Sequence, residues 1–307
     1  MPNIADENGG SGGLLREPDR DLVASPTPDC DPGPAPPRAA GSELWRRVAS
    51  AMVLAPLAIV SAYVGGAAFT AFWGLAAIGV AWEWFGLVSG PRPLLPISVV
   101  TLGGAAVLFT VDSPFAAIAW LVAGMLVAAA AARRGRRGWT LAAIGSAGAV
   151  LAAPVMLRAD AQWGFWAIIL LFAVVWTTDV VAYFVGRRVG GPRLWPAVSP
   201  KKTWSGALAG MVAAVVAGLV VAKIAGLGDL PVMAALCCGL SIVGQAGDLL
   251  ESAVKRRFGT KDASRLIPGH GGLMDRLDGF VAAAVVGTLI GLLRGGADAP
   301  GRGLLLW

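Results

Sequence analysis

The 307-residue sequence has one histidine, three cysteines and few charges: only 14% of its residues are Asp, Glu, Lys or Arg. A single histidine, His270, excludes any multi-histidine metal centre. Cys30, Cys237 and Cys238 have neither metal-ligand spacing nor the makings of a disulfide framework. Soluble domains carry about 25% charged residues, so the shortage argues against a soluble protein. What fills the gap is apolar: 56% of residues are hydrophobic and the mean hydropathy is +0.68. The 42 glycines and 20 prolines suit the same reading, since both are more frequent in transmembrane helices than in soluble ones.

Charge is unevenly divided. Residues 1–42 hold seven acids, three bases, eight prolines and six glycines, without apolar runs. Such a segment cannot bury enough surface to order itself and is expected to be a disordered cytoplasmic tail, with no signal peptide in it. The rest carries 22 bases against 12 acids. That surplus suits anionic lipid headgroups or phosphate substrates in so apolar a chain, and no nucleic-acid partner is expected.

From Trp45 onward the sequence reads as nine apolar spans, near 46–65, 68–89, 95–111, 114–132, 139–157, 163–185, 203–224, 231–254 and 273–293. About 20 apolar residues cross the hydrocarbon as a helix. The predicted fold is therefore an all-α polytopic membrane protein. Helices over 43–160 precede a catalytic region over 161–296 and a short tail over 297–307. With the N-terminus inside, eighteen Lys and Arg fall in inner segments and four (Arg158, Lys223, Arg294 and Arg302) in outer ones. Lys and Arg mark cytoplasmic loops, which gives an N-in, C-out topology.

Acids within spans are expensive and signal function. Glu83, Asp179, Asp248, Glu251, Asp275 and Asp278 all fall in the cytoplasmic half of their spans on this topology. Neutralisation by nearby Arg would explain one or two of them, but not their sharing one side. Asp248, Glu251, Ser252 and Lys255 stand at i, i+3, i+4 and i+7, one polar helix face. A basic, glycine-rich loop follows, with Lys261, Asp262 and Pro268-Gly269-His270-Gly271-Gly272, before the next helix opens on Asp275, Arg276 and Asp278. Carboxylates without His or Cys suit a hard cation, Mg²⁺ first, which one or two carboxylates hold together with substrate phosphates. Lys255, Arg256, Lys261 and Arg276 can neutralise a polyphosphate. Ser199-Pro200-Lys201-Lys202-Thr203 places lysines and hydroxyls before another helix, where a phosphate or an ordinary positive-inside flank would account for them. His270 is either a phosphate donor or a loop-ordering residue.

The run from Ser252 through Lys255-Arg256, Lys261-Asp262 and Pro268-Gly269-His270 to Asp275-Arg276-Leu277-Asp278 resembles the signature of phosphatidate cytidylyltransferases, also called CDP-diacylglycerol synthases. Thr178-Asp179 through Gly186-Arg187 and Ser199–Thr203 resemble the same family. The likeness covers about residues 176–280, with Trp82-Glu83-Trp84 a fainter echo. At position 205 the family commonly has Glu and this chain has Ser. The resemblance implies CTP + phosphatidate → CDP-diacylglycerol + pyrophosphate at the cytoplasmic face of the inner membrane. It implies Mg²⁺ held by Asp248 and Asp275, with room for a second ion such as K⁺. Lys255 and Asp278 would join those two in the catalytic set. Ser199, Lys201, Lys202, Thr203, Ser252, Arg256, Lys261, Asp262, His270, Arg276 and Asp179 would contact substrate. CTP, phosphatidate and membrane lipid are the expected partners, and a homodimer is left open. Two other classes compete: a CTP-dependent lipid kinase, which would release CDP, and a transporter, which should show a polar midplane path.

Overall fold

A computed structural model describes residues 40–89, 94–264, 266 and 271–307, with backbone alone for 40–51 and 89. His270, Arg92, Arg265 and the expected tail up to residue 39 lie outside the described residues.

Among the described residues, nine long helices follow in chain order: α1 (Ala40–Val64), α2 (Gly66–Ser89), α3 (Leu95–Thr110), α4 (Pro114–Ala131), α5 (Arg137–Arg158), α6 (Gly164–Arg188), α7 (Trp204–Ile224), α8 (Leu230–Arg257) and α9 (Met274–Gly295). Each coincides with an expected span. Seven are long and apolar enough to cross a membrane. The apolar part of α1 (Met52–Val64) and the 16-residue α3 fall short of the usual crossing length. Their starts are legible locally. Thr203 caps α7 by accepting from Gly206 N at 3.2 Å, and Asp229 caps α8 by accepting from Val232 N. Pro231, at the start of α8, costs nothing there, because its missing N–H would be unpaired anyway.

The helices bear out an all-α fold, and two features add to it. The chain is not wholly helical: β1 (Arg193–Trp195) and β2 (Ser199–Thr203) form an antiparallel hairpin between α6 and α7. Ser199–Thr203 therefore leads into α7 as a strand. The short tail after residue 296 carries a helix of its own. α10 (Pro300–Leu305) buries Leu304 and Leu305, and Arg302 N donates to Asp160 Oδ2 at 2.8 Å. A six-residue helix and a three-residue strand lie below what apolar periodicity can register.

α5 is the most enclosed of the crossing helices, whereas α7 faces outward. Leu208, Val212, Val216, Val220 and Ile224 recur every fourth residue on α7 and are all exposed. Such a stripe suits contact with hydrocarbon. Between helices, small residues allow close approach. A Cβ on Gly247 of α8 would lie 2.5 Å from Ala282 Cβ and 2.9 Å from Asp278 O of α9. One on Gly210 of α7 would lie 2.7 Å from Thr178 O of α6. Backbones thus meet at two crossings, α8 on α9 and α7 on α6. Trp73 of α2 stacks on Phe280 of α9 with centroids 4.9 Å apart, and Phe172 of α6 joins the same cluster at 5.1 Å.

Candidate active site

α6, the β-hairpin, α8 and α9 enclose an open cavity of about 990 Å³. The close α8–α9 crossing sets Asp248 and Asp278 near each other in the helix pair, and the hairpin brings Lys201 and Lys202 over them. Of the residues expected from sequence, Asp179, Ser199, Lys201, Lys202, Thr203, Asp248, Lys255, Asp262, Asp275, Arg276 and Asp278 all line this cavity. Residues from four separate stretches of chain thus converge.

Three expected residues are placed differently. Ser252 sits behind Asp248, its Oγ donating to Asp248 Oδ1 at 3.4 Å. Arg256 points away, donating to Val198 O and Thr260 O, and Lys261 is exposed on the loop; neither lines the cavity. The helical period explains Arg256: Lys255 already takes the inward position, so the next residue lies about 100° round the helix. His270 lies outside the described residues.

The charges are paired across elements. Lys202 Nζ of β2 donates to Asp248 Oδ2 of α8, an ion pair roughly 30% exposed. Lys255 Nζ donates to Glu251 Oε1 at 2.9 Å and to Asp275 Oδ1 of α9, with Lys255 and Glu251 buried and Asp275 partly so. Asp275 Oδ2 also accepts Gly272 N at 3.0 Å and Ala263 N at 3.2 Å. Asp278 Oδ1 accepts Gly279 N at 2.7 Å. Among the described residues, no three His, Cys, Asp or Glu are grouped closely enough to hold a metal unaided.

The wall contributed by α6 is different. Val180, Tyr183 and Phe184 line the cavity while remaining more than half exposed. A polar, charged floor thus opens past an exposed, largely apolar rim.

The chain matches the cytidylyltransferase family over residues 45–293. It belongs to that family. It is similar to a phosphatidate cytidylyltransferase of Brucella suis biovar 1, 41% identical over 274 residues that cover 84% of this chain and 97% of the relative. A phosphatidate cytidylyltransferase of Brucella abortus biovar 1 is 41% identical over 267 residues, covering 82% and 94%. One from Bacillus subtilis is 41% identical over 124 residues, covering 39% of this chain and 45% of the relative. This cytidylyltransferase gathers lysines, arginines and aspartates from four stretches of its chain around one cavity.

The cavity also includes residues that sequence reasoning did not select. Gln245, one turn before Asp248, lines it and donates to Ala207 O at 3.4 Å; its i−3 spacing from Asp248 was the available signal. Tyr183 and Arg187 form a hydrogen-bonded pair at 2.9 Å on the α6 wall, inside the segment that resembled the family. Outside the cavity lining, Glu83 of α2, already noted as an acid within a span, is fully buried and accepts from Ser264 Oγ, Leu273 N and Met274 N. Its position as an acid within a span was visible; its partners, about 190 residues away, were not.

Proposed function

We propose that this cytidylyltransferase makes CDP-diacylglycerol and pyrophosphate from CTP and phosphatidate. The observation that carries the reading is the mixed cavity, a floor of Asp248, Asp275, Lys202 and Lys255 opening past the apolar rim of α6. Its support is the likeness, along most of the chain, to proteins named phosphatidate cytidylyltransferase. A lipid phosphate arriving along Val180 and Phe184 keeps its acyl chains in hydrocarbon while its headgroup reaches the charged floor. CTP enters from water.

The donor set fits Mg²⁺. Hard carboxylate oxygens, one or two in number, are what that ion takes from protein, leaving other positions to water and phosphate. Both carboxylates already hold a cationic group, the Lys202 and Lys255 ammonium. Asp248 and Asp275 would hold the ion, which when bound neutralises the triphosphate and the departing pyrophosphate. The chain's own residues do the rest. Lys202 and Lys201 on the hairpin and Arg276 at the head of α9 bind phosphate oxygens, and Lys255 orients Asp275. Thr203 and Ser199 offer hydroxyls to the same oxygens. In the reaction a phosphatidate oxygen bonds to the α-phosphorus of CTP, and the bond from that phosphorus to the bridging oxygen breaks. Positioning and charge stabilisation supply most of the acceleration for such a transfer. We further read all nine helices as spans with the N-terminus inside. On that topology the cavity faces the cytoplasm, at the inner membrane in a bacterial cell.

The test is a product assay on purified protein in liposomes with Mg²⁺ and phosphatidate. Label from α-phosphate-labelled CTP should enter the lipid, and label from γ-phosphate-labelled CTP should leave as pyrophosphate. γ-Label in the lipid would mean a lipid kinase instead, and no transfer of either label would leave the transporter reading. EDTA should abolish the reaction.

A further inference from the structure

Helix α9 starts without a side-chain cap of its own, and its cap residue, Leu273, contributes only backbone. The first amides of a helix need acceptors. Two of them find one on another helix: Leu273 N donates to Glu83 Oε1 and Met274 N to Glu83 Oε2, both at 2.7 Å. Glu83 Oε1 also accepts Ser264 Oγ at 2.6 Å, and the side chain is wholly buried. A carboxylate so placed is costly unless donors meet it, and the positive end of a helix is a favourable neighbour.

These bonds interleave with those of Asp275. Ala263 N goes to Asp275 while Ser264 Oγ goes to Glu83; Gly272 N goes to Asp275 while Leu273 N goes to Glu83. Neighbouring groups at both junctions of the α8–α9 connection are thus divided between the two carboxylates. Gly272 fits between them because it lacks a side chain: a Cβ there would lie 2.9 Å from Asp275 Oδ2 and 3.0 Å from Glu83 Oε2. One turn earlier on α2, a Cβ on Gly79 would lie 2.8 Å from Leu273 Cδ2, so the same helix face also seats the Leu273 side chain.

We propose that Glu83 is a positioning residue for Asp275, fixing the start of α9 so that the Asp275 carboxylate is held in the cavity ready for a divalent cation. This rests on the reading of Asp275 as a metal-holding carboxylate. It also gives the N-terminal helices a part in the site, since α2 supplies the anchor.

The experiment uses full-length protein in detergent carrying Glu83→Gln, which keeps size but turns one acceptor into a donor facing an N–H. Glu83→Asp is the second variant; it keeps the charge and shortens the reach, so it carries the test if the Gln protein fails to insert. Three quantities are read: hydrogen exchange of the 271–276 backbone, Mn²⁺ binding by electron paramagnetic resonance in the presence of CTP, and the steady-state constants. Exchange over 271–276 should rise about tenfold, and the Mn²⁺ half-saturation should rise about tenfold, the scale for losing a partner that orients a metal ligand. KM for phosphatidate should stay within about twofold, because the α6 wall is untouched. Unchanged exchange and unchanged Mn²⁺ half-saturation would overturn the proposal. So would a fall in kcat or thermal stability with the metal response intact, which is what a merely structural role predicts. Exchange and Mn²⁺ binding do not depend on which product forms, so failure of the product assay leaves this test standing.

Discussion

At the scale of single residues, the two ion pairs differ in what holds them. Lys202 and Asp248 are each about 30% exposed, so water compensates whichever partner loses the other. Lys255 is buried with two carboxylates, and removing one leaves it paired with the second. Asp248→Asn and Asp275→Asn should therefore still insert, with Lys202 falling back on water and Lys255 on Glu251. Turnover should nevertheless fall roughly 10²-fold or more, because a neutral amide binds Mg²⁺ far more weakly than a carboxylate does. Steady-state assay at saturating Mg²⁺ checks this, with Asp112→Asn in the α3–α4 turn as the silent control. Half of wild-type activity in Asp248→Asn would remove that residue from the metal site. Much of this chemistry could be read from sequence because acids in apolar spans are rare enough to stand out. Arg256 shows the opposite case: a charge beside a loop looks the same in sequence whether it faces the cavity or solvent, and only helical phase decides. Glu83 was visible as a charge but not as a contact, since nothing local encodes a partner about 190 residues away.

At the scale of elements, the site depends on how closely helices cross. Apolar runs located all nine long helices, because each is long enough for composition to dominate. They did not reveal which glycines bring helices together, because a glycine at a crossing and one facing lipid look alike in sequence. Gly247 lies one residue before Asp248, and its missing side chain lets α8 contact Ala282 and the Asp278 carbonyl. Gly247→Val would have to push α9 outward, since backbone oxygen cannot swing aside as a side chain end can. Overpacking of this sort costs roughly 1–3 kcal/mol. Thermal unfolding in detergent should register that loss, and activity should fall further than stability because the shift carries Asp278 and Asp275 with it. Gly239→Val, on the same helix with nothing within 4 Å of its Cβ position, is the matched control. Equal effects from the two would show that the crossing does not set the site. The β-hairpin makes a similar point: Ser199–Thr203 was recognisable by its lysines, while its strand geometry, which lets Lys202 reach Asp248, depends on pairing with Arg193–Trp195.

At the scale of the whole molecule, orientation decides which substrates the cavity can meet. The cavity lies at the end of the bundle where Arg187, Lys201, Lys202, Lys255 and Arg276 gather. The opposite ends of the same helices carry the Asp229 cap of α8 and the Asp160–Arg302 contact, with few bases. Cytoplasmic leaflets are anionic, and each Lys or Arg near their surface gains about 1 kcal/mol, so a bundle with this asymmetry is expected to insert with its basic end inside. CTP, being cytosolic, requires the same placement, and phosphatidate presents its phosphate at that interface. The prediction is made on protein in which Cys30, Cys237 and Cys238 are replaced by Ala, with single cysteines introduced at exposed positions. Gly135→Cys, beside the α4–α5 turn, and Thr260→Cys, just after α8, should stay unlabelled in intact cells given a membrane-impermeant maleimide and react once the membrane is opened. Gly228→Cys, in the α7–α8 turn with open space around it, should react from outside in intact cells. Reaction of Thr260→Cys from outside would turn the cavity away from CTP, and with it would go the cytidylyl transfer proposed for this site.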